Sequence, residues 1–168
     1  MIVVDTNLLS TFARIQRLEL LFSVAETDAL YLVPAVISEL KLGLKKNLDF
    51  LQPILDGLAN ETKFFPLNLS IDEKNFSDSL PASLNTGERE SISVCQKRTG
   101  SKLLTNDKRA HNYCKEIQIP SLDLKLVLRM LWKGHHCTKE EVSLIMDAIE
   151  KHEPGMIIKG KDEILREV

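Results

Sequence analysis

Met1-Ile2-Val3-Val4 is an apolar, β-branched run too short for a helix, and it delivers Asp5, then Thr6 and Asn7, just before a helical pattern that starts at Leu8. A strand ending on a carboxylate places that acid at the edge of an α/β sheet where ligands gather. Asp, Thr and Asn are also good helix N-caps, so a capping role is equally open to Asp5. Three more acidic settings follow: Glu39 in Pro34-Ala35-Val36-Ile37-Ser38-Glu39-Leu40, Glu88 and Glu90 in Gly87-Glu88-Arg89-Glu90-Ser91-Ile92, and Asp107 in Leu103-Leu104-Thr105-Asn106-Asp107. Carboxylates brought together without lysine or arginine partners repel one another, which raises their pKa values until a cation joins them. Oxygen-only ligands suit Mg2+ or Mn2+, and Mg2+ keeps several waters while taking one or two carboxylates directly.

The elements that must position these acids alternate. Strand-like runs are expected at the N-terminus, at Leu30-Tyr31-Leu32-Val33, at Thr62 to Leu67 with Pro66 marking its end, at Lys102-Leu103-Leu104-Thr105, and at Ile117 to Leu122. Helical patterns lie between them, which predicts parallel βαβ units and a sheet covered on both faces. Pro34 suits the first position of a helix reaching about Leu44, on which Glu39 shares a small and apolar face with Ala35, Val36, Leu42 and Gly43. On the helix from Gly87 to Arg98, Ile92 and Cys95 lie within roughly 40° of Glu88, while Glu90 is about 160° or more from both. Glu88 therefore faces the buried side and Glu90 the rim. Asn85 can cap this helix and make Glu88 the third residue of a capping box, an alternative to ligand duty.

The order of these motifs resembles the PIN-domain family of metal-dependent ribonucleases: a strand ending in Asp-x-Asn, a helical Glu, a Gly-Glu-x-Glu helix start and a strand ending in Thr-x-Asp. The resemblance covers roughly residues 1 to 130. It implies a three-layer α/β fold with a central, mostly parallel sheet of four or five strands flanked by helices. It further implies Mg2+ or Mn2+ held by Asp5, Glu39, Glu88 and Asp107, with Glu90 as a further metal residue and Asn7 and Thr105 ordering the site by hydrogen bonding. The family often carries a second acid before the last Asp, and here that position is Asn106. The implied activity is hydrolysis of RNA phosphodiester bonds, with a toxin of a toxin/antitoxin pair, and so an antitoxin protein partner, as the narrower reading. A catalytically inactive PIN fold that binds RNA or protein is the alternative.

A chain of 168 residues, 43% hydrophobic, can build one full core. The expected division is a PIN-like domain over 1–132 and a helical extension over 133–168 packed on it. Thr138-Lys139-Glu140-Glu141 reads as a capping box ahead of an apolar stripe, Val142, Ile145, Met146 and Ile149. That stripe needs cover, from its own domain, from a homodimer or from a partner. No apolar stretch is long enough to span a membrane and no basic leader precedes the first strand, so no membrane association is expected. Cys95, Cys114 and Cys137 have no metal-ligand spacing and fit reduced thiols of a cytoplasmic protein. His135-His136-Cys137 has ligand types but nothing near it to complete a set, and it reads as a loop. A net charge of −2 argues against coating nucleic acid nonspecifically, while Lys41, Lys45, Lys46, Arg89, Lys97, Arg98, Lys102, Lys108 and Arg109 fall near the acidic motifs and could form a local basic rim.

Overall fold

The computed structural model describes residues 1–167. Its centre is a five-stranded parallel sheet formed by β1 (Ile2–Val4), β2 (Leu30–Leu32), β3 (Phe64–Pro66), β4 (Lys102–Leu104) and β5 (Ser121–Leu122), in the order β3-β2-β1-β4-β5. Helices cover both faces, giving the three-layer α/β arrangement. Val3, Val4, Leu30, Leu32, Leu103 and Leu104 are fully buried, as expected of central strands covered on both sides. The proline in β3 sits on an edge strand, where a missing donor costs no ladder bond.

In chain order the helices are α1 (Thr6–Arg14), α2 (Glu19–Ala25), α3 (Pro34–Lys45), α4 (Gln52–Ala59), α5 (Ile71–Ser79), α6 (Thr86–Lys97), α7 (Lys108–Glu116), α8 (Leu124–Lys133), α9 (Lys139–His152) and α10 (Lys161–Leu165), with a 3-10 turn over Asp49–Leu51. Pro34 occupies the start of α3. The fifth strand is shorter than its sequence pattern. Ile117 closes α7 and Gln118 turns the chain with φ near 60°, so pairing begins only at Ser121. The three cysteines are buried free thiols, and burial pushes Cys95 up to about 12 and Cys114 to about 11, which leaves both protonated and unreactive at neutral pH. Among the described residues no helix is long and apolar enough to cross a membrane.

The apolar stripe of α9 is covered within the chain. Val142, Ile145, Met146 and Ile149 are buried, and α9 packs on α1 and α8. The Thr11 hydroxyl on α1 donates to Glu153 Oε2 at 2.7 Å, just past the end of α9. Trp132 Nε1 of α8 donates to the Ile164 carbonyl at 2.7 Å, fastening α10. Because Met146 and Ile149 are fully buried, Met146→Ala and Ile149→Ala are each expected to cost about 2–5 kcal/mol, read as a lower urea midpoint with an unchanged slope. A loss below 1 kcal/mol would mean that α9 is only loosely docked.

Candidate active site at the sheet edge

Parallel pairing of β1 with β4 sets Val4 opposite Leu104, so Asp5 and Thr105 leave the sheet at the same level. The Asp5 N–H donates to the Leu104 carbonyl at 3.0 Å, extending the ladder by one bond. Asp5 Oδ1 then accepts the Leu8 N–H at 2.8 Å, the N-cap of α1, while Oδ2 accepts the Thr105 hydroxyl at 2.5 Å and the Asn106 N–H at 3.2 Å. Capping and placement at the sheet edge are thus both roles of Asp5. The Thr105 hydroxyl oxygen accepts the Asp107 N–H at 3.1 Å, so one threonine ties the two aspartates together. Asp107 Oδ1 caps α7 through the Arg109 and Ala110 N–H groups at 2.8 and 2.9 Å, and Oδ2 faces Arg109 Nη2 at 3.6 Å.

Two helices bring the glutamates. Glu39 on α3 reaches back to the first residue of α1, where its Oε2 accepts the Thr6 hydroxyl. Glu88 lies in the first turn of α6 in a reciprocal box with Asn85: its Oε2 accepts the Asn85 N–H at 3.0 Å, its Oε1 accepts Asn85 Nδ2 at 2.8 Å, and Asn85 Oδ1 accepts the Glu88 N–H at 2.8 Å. Gly87 permits the close approach of α6 to α3, since a Cβ there would stand 3.3 Å from both Glu39 Oε1 and Val36 Cγ2. Asp5, Glu39 and Glu88 line one narrow cleft with Thr6, Asn7 and Asn85. Its free volume, about 10 Å3, is on the order of what one water or one ion fills.

Glu90 sits elsewhere. Its Oε2 accepts the Ala35 N–H at 2.8 Å, capping α3, whose preceding residue Val33 has no side chain able to do so. It thereby braces the helix that carries Glu39. Asn7 lines the cleft, and its carbonyl accepts the Thr11 hydroxyl at 3.0 Å. The contacts of Thr6, of Glu90 and of the Asn106 N–H leave no signal in local spacing, because each joins segments 33 or more residues apart. The basic residues of the sequence rim divide as well. Arg98 pairs with Glu73 at 2.6 Å, Lys97 lies over the Phe76 ring, and Lys102 starts β4 at the far end of the strand from Thr105. Lys108 and Arg109 remain beside Asp107.

The electrostatics follow from burial. Asp5, only 4% exposed, is pushed up to about 6 by desolvation, with the charge of Glu88 adding to the rise and the bonds from Thr105, Leu8 and Asn106 opposing it. Glu88 is also raised, first by burial and then by Asp107 and Glu39, with Arg109 opposing. The four acids are therefore coupled through Glu88. Among the described residues no three or more acid, histidine or cysteine side chains converge as a ready chelating set. The donors do fit a hydrated divalent ion, which takes only one or two carboxylates directly and the rest of its shell as water. A pair of buried acids that favour protonation is the condition such an ion relieves.

A family model described as a PIN domain matches residues 1–167, running through α9 and α10 as well as the acidic motifs. No curated protein and no solved structure gives a significant match.

Raising Asp5 from 3.8 to about 6 means that the folded protein binds its proton more tightly than the unfolded chain does. The associated stability is present below pH 3.8 and is lost as pH climbs to about 6, a change of roughly 3 kcal/mol. In chelator, Asp5→Asn keeps the cap and removes this titration, so it should gain about that much on the wild type between pH 4 and pH 7. Urea midpoints at several pH values would show it. Parallel profiles for the two proteins would mean that Asp5 is solvated and ionised throughout.

Proposed function

The chain belongs to the PIN-domain family, a nuclease-type fold, and from that premise we propose that it is a metal-dependent endoribonuclease acting at the cleft of Asp5, Glu39 and Glu88, with Asp107 beside it. The observation that supports this reading is that Glu39 of α3 and Glu88 of α6 meet Asp5 in one narrow cleft at the C-terminal end of β1, with Asp107 tied to Asp5 through Thr105 after the adjacent β4; burial pushes Asp5 and Glu88 upwards. Asp5 and Glu88 would hold Mg2+ or Mn2+, with Glu39 and Asp107 as further oxygen donors. Such an ion, when bound, activates water and neutralises charge building on a phosphodiester.

The chain's own residues supply orientation. Thr105 and the Asn106 N–H fix the Asp5 carboxylate, Asn85 fixes Glu88, and Thr6 fixes Glu39. Each carboxylate still keeps lone pairs, since an ionised one offers about four acceptor sites. Glu90 acts through the α3 cap as a positioning residue rather than as a ligand. Lys108 and Arg109, both exposed next to Asp107, draw the phosphate backbone towards the acids. The same proposal includes the toxin role, with an antitoxin protein as partner, supported by the frequency of that role among small single-domain PIN proteins. Arrest of growth on expression, relieved by the Asp5→Asn substitution, is its expected sign. A non-cutting RNA-binding or protein-binding module is the alternative reading.

Single-turnover cleavage of mixed-sequence RNA should require Mg2+ or Mn2+ and stop in chelator. Removing residues that only orient ligands typically costs roughly 10–100-fold, so Thr105→Val and Glu90→Gln are expected in that range and Asp5→Asn and Glu88→Gln beyond it. Folded protein that never cleaves with either metal would decide for the binding module. Glu90→Gln falling further than Glu88→Gln would place the ligand on the other face of α6.

A further inference from the structure

Next to the acid cleft, across Asn106 and Asp107, lies a cavity of about 440 Å3 between α7, the start of α8 and residues 156–159. That volume is within the range of small-molecule sites, about 300–1,000 Å3. Lys108, Lys115, Lys125 and Lys159 reach its wall from three separate segments, and none of them is in a salt bridge among the described residues. Only Asp107 and Asp123 oppose them there. Leu124, Met156 and Ile158 give the cavity an apolar surface, of which Leu124 and Ile158 are buried. His111 also lines it, and is 96% buried by its 4% exposure. The His111 Nδ1 is 2.9 Å from the Ser121 hydroxyl, but its Nε2 has no hydrogen-bond partner and stands 3.8 Å from Asp123 Oδ2. A buried nitrogen left this way is costly in a folded protein and marks a place where a ligand atom or a bound water is expected.

We propose that this cavity seats one nucleotide of a single-stranded RNA, the residue neighbouring the phosphodiester at the acid cleft. The proposal rests on the ribonuclease reading of that cleft. Four unpaired cations against two acids select an anion, and the apolar surface beside them selects an anion that carries a flat, weakly hydrated group. A nucleotide has both. Single-stranded RNA is the fitting source because its bases are free to leave the stack and enter a concave site, which a duplex base is not. Asp107 lines the cavity wall, and its charge reaches Glu88 in the cleft while Thr105 ties its backbone to Asp5, so a strand held at one site lies next to the other.

The wild-type chain in chelator, mixed with a 12-residue single-stranded RNA carrying 4-thiouridine, is irradiated and the cross-linked peptides are mapped. Cross-links in residues 106–125 and 156–159 are expected, and cross-links confined to α3, α4 or α9 would overturn the assignment. Fluorescence anisotropy with the same RNA then compares Lys115→Ala/Lys159→Ala with Lys63→Ala/Lys74→Ala, an exposed pair outside the cavity. The first pair should bind about tenfold more weakly, with a log K against log salt slope shallower by about 1.4 for two lost phosphate contacts on a single strand. The second pair should leave both unchanged. Equal weakening by the two pairs would show diffuse attraction and sink the proposal. Cross-links in the cavity without cleavage in Mn2+ would refute the nuclease reading and leave the cavity standing, whereas cleavage with cross-links elsewhere would do the reverse.

Discussion

Burying the Asp5 carboxylate is the constraint around which this structure is arranged. An isolated ionised acid in a low-dielectric interior is too costly to keep, so it must be protonated, hydrogen-bonded or joined by a cation. The fold supplies three donors at once: the first turn of α1, the Thr105 hydroxyl and the Asn106 backbone. Two come from the β1-β4 pairing and one from the local cap of α1. The register aligns Thr105 with Asp5, the strand end frees Asn106 N–H from the ladder, and the turn into α1 presents Leu8 N–H. The bonds oppose the rise caused by burial without cancelling it, and the remaining imbalance is what a divalent ion would relieve.

Around this acid the second layer of contacts is made between helix starts. Glu88 sits in the first turn of α6, Asp107 caps α7, Asp5 caps α1, and Glu90 caps α3. Helix N-termini carry unsatisfied N–H groups and the positive end of the helix dipole, so they tolerate carboxylates that would otherwise repel one another. Four helix starts converging on one sheet edge therefore allow a density of negative charge that the bare strands would not. Gly87 contributes by omission, because a side chain there would press on Glu39 and Val36 and push α6 away from α3.

Much of this was legible in the sequence because it is local. Strand ends, the Pro34 helix start, the Asn85 and Thr138 capping boxes and the inward side of Glu88 follow from spacing within a single element. What spacing does not reveal is which element lies against an element's other side. Spacing alone puts Glu90 on the rim of α6, because it points away from Ile92 and Cys95. The rim is not open water: it meets the N-terminus of α3, and the acid finds a backbone donor 55 residues away. The fifth strand shows the opposite limit, where an apolar run from Ile117 promises more pairing than the end of α7 leaves room for.

Asn106 joins the two halves of this surface. Its backbone N–H holds Asp5, and the residue also lines the lysine-rich cavity beyond Asp107. A second acid at this position would add negative charge beside Asp5, Glu88 and Asp107, strengthening attraction for a metal ion. It would also line the cavity together with Lys108 and offset one of the cations available to a phosphate. A neutral amide avoids both effects, so the run of acids around the cleft stops at Asp107 and the basic field begins at Lys108, the next residue. For a polyanion that must be drawn to lysines and then brought against carboxylates, so short a boundary matters, because repulsion from exposed acids at the entrance would oppose the approach that the lysines promote.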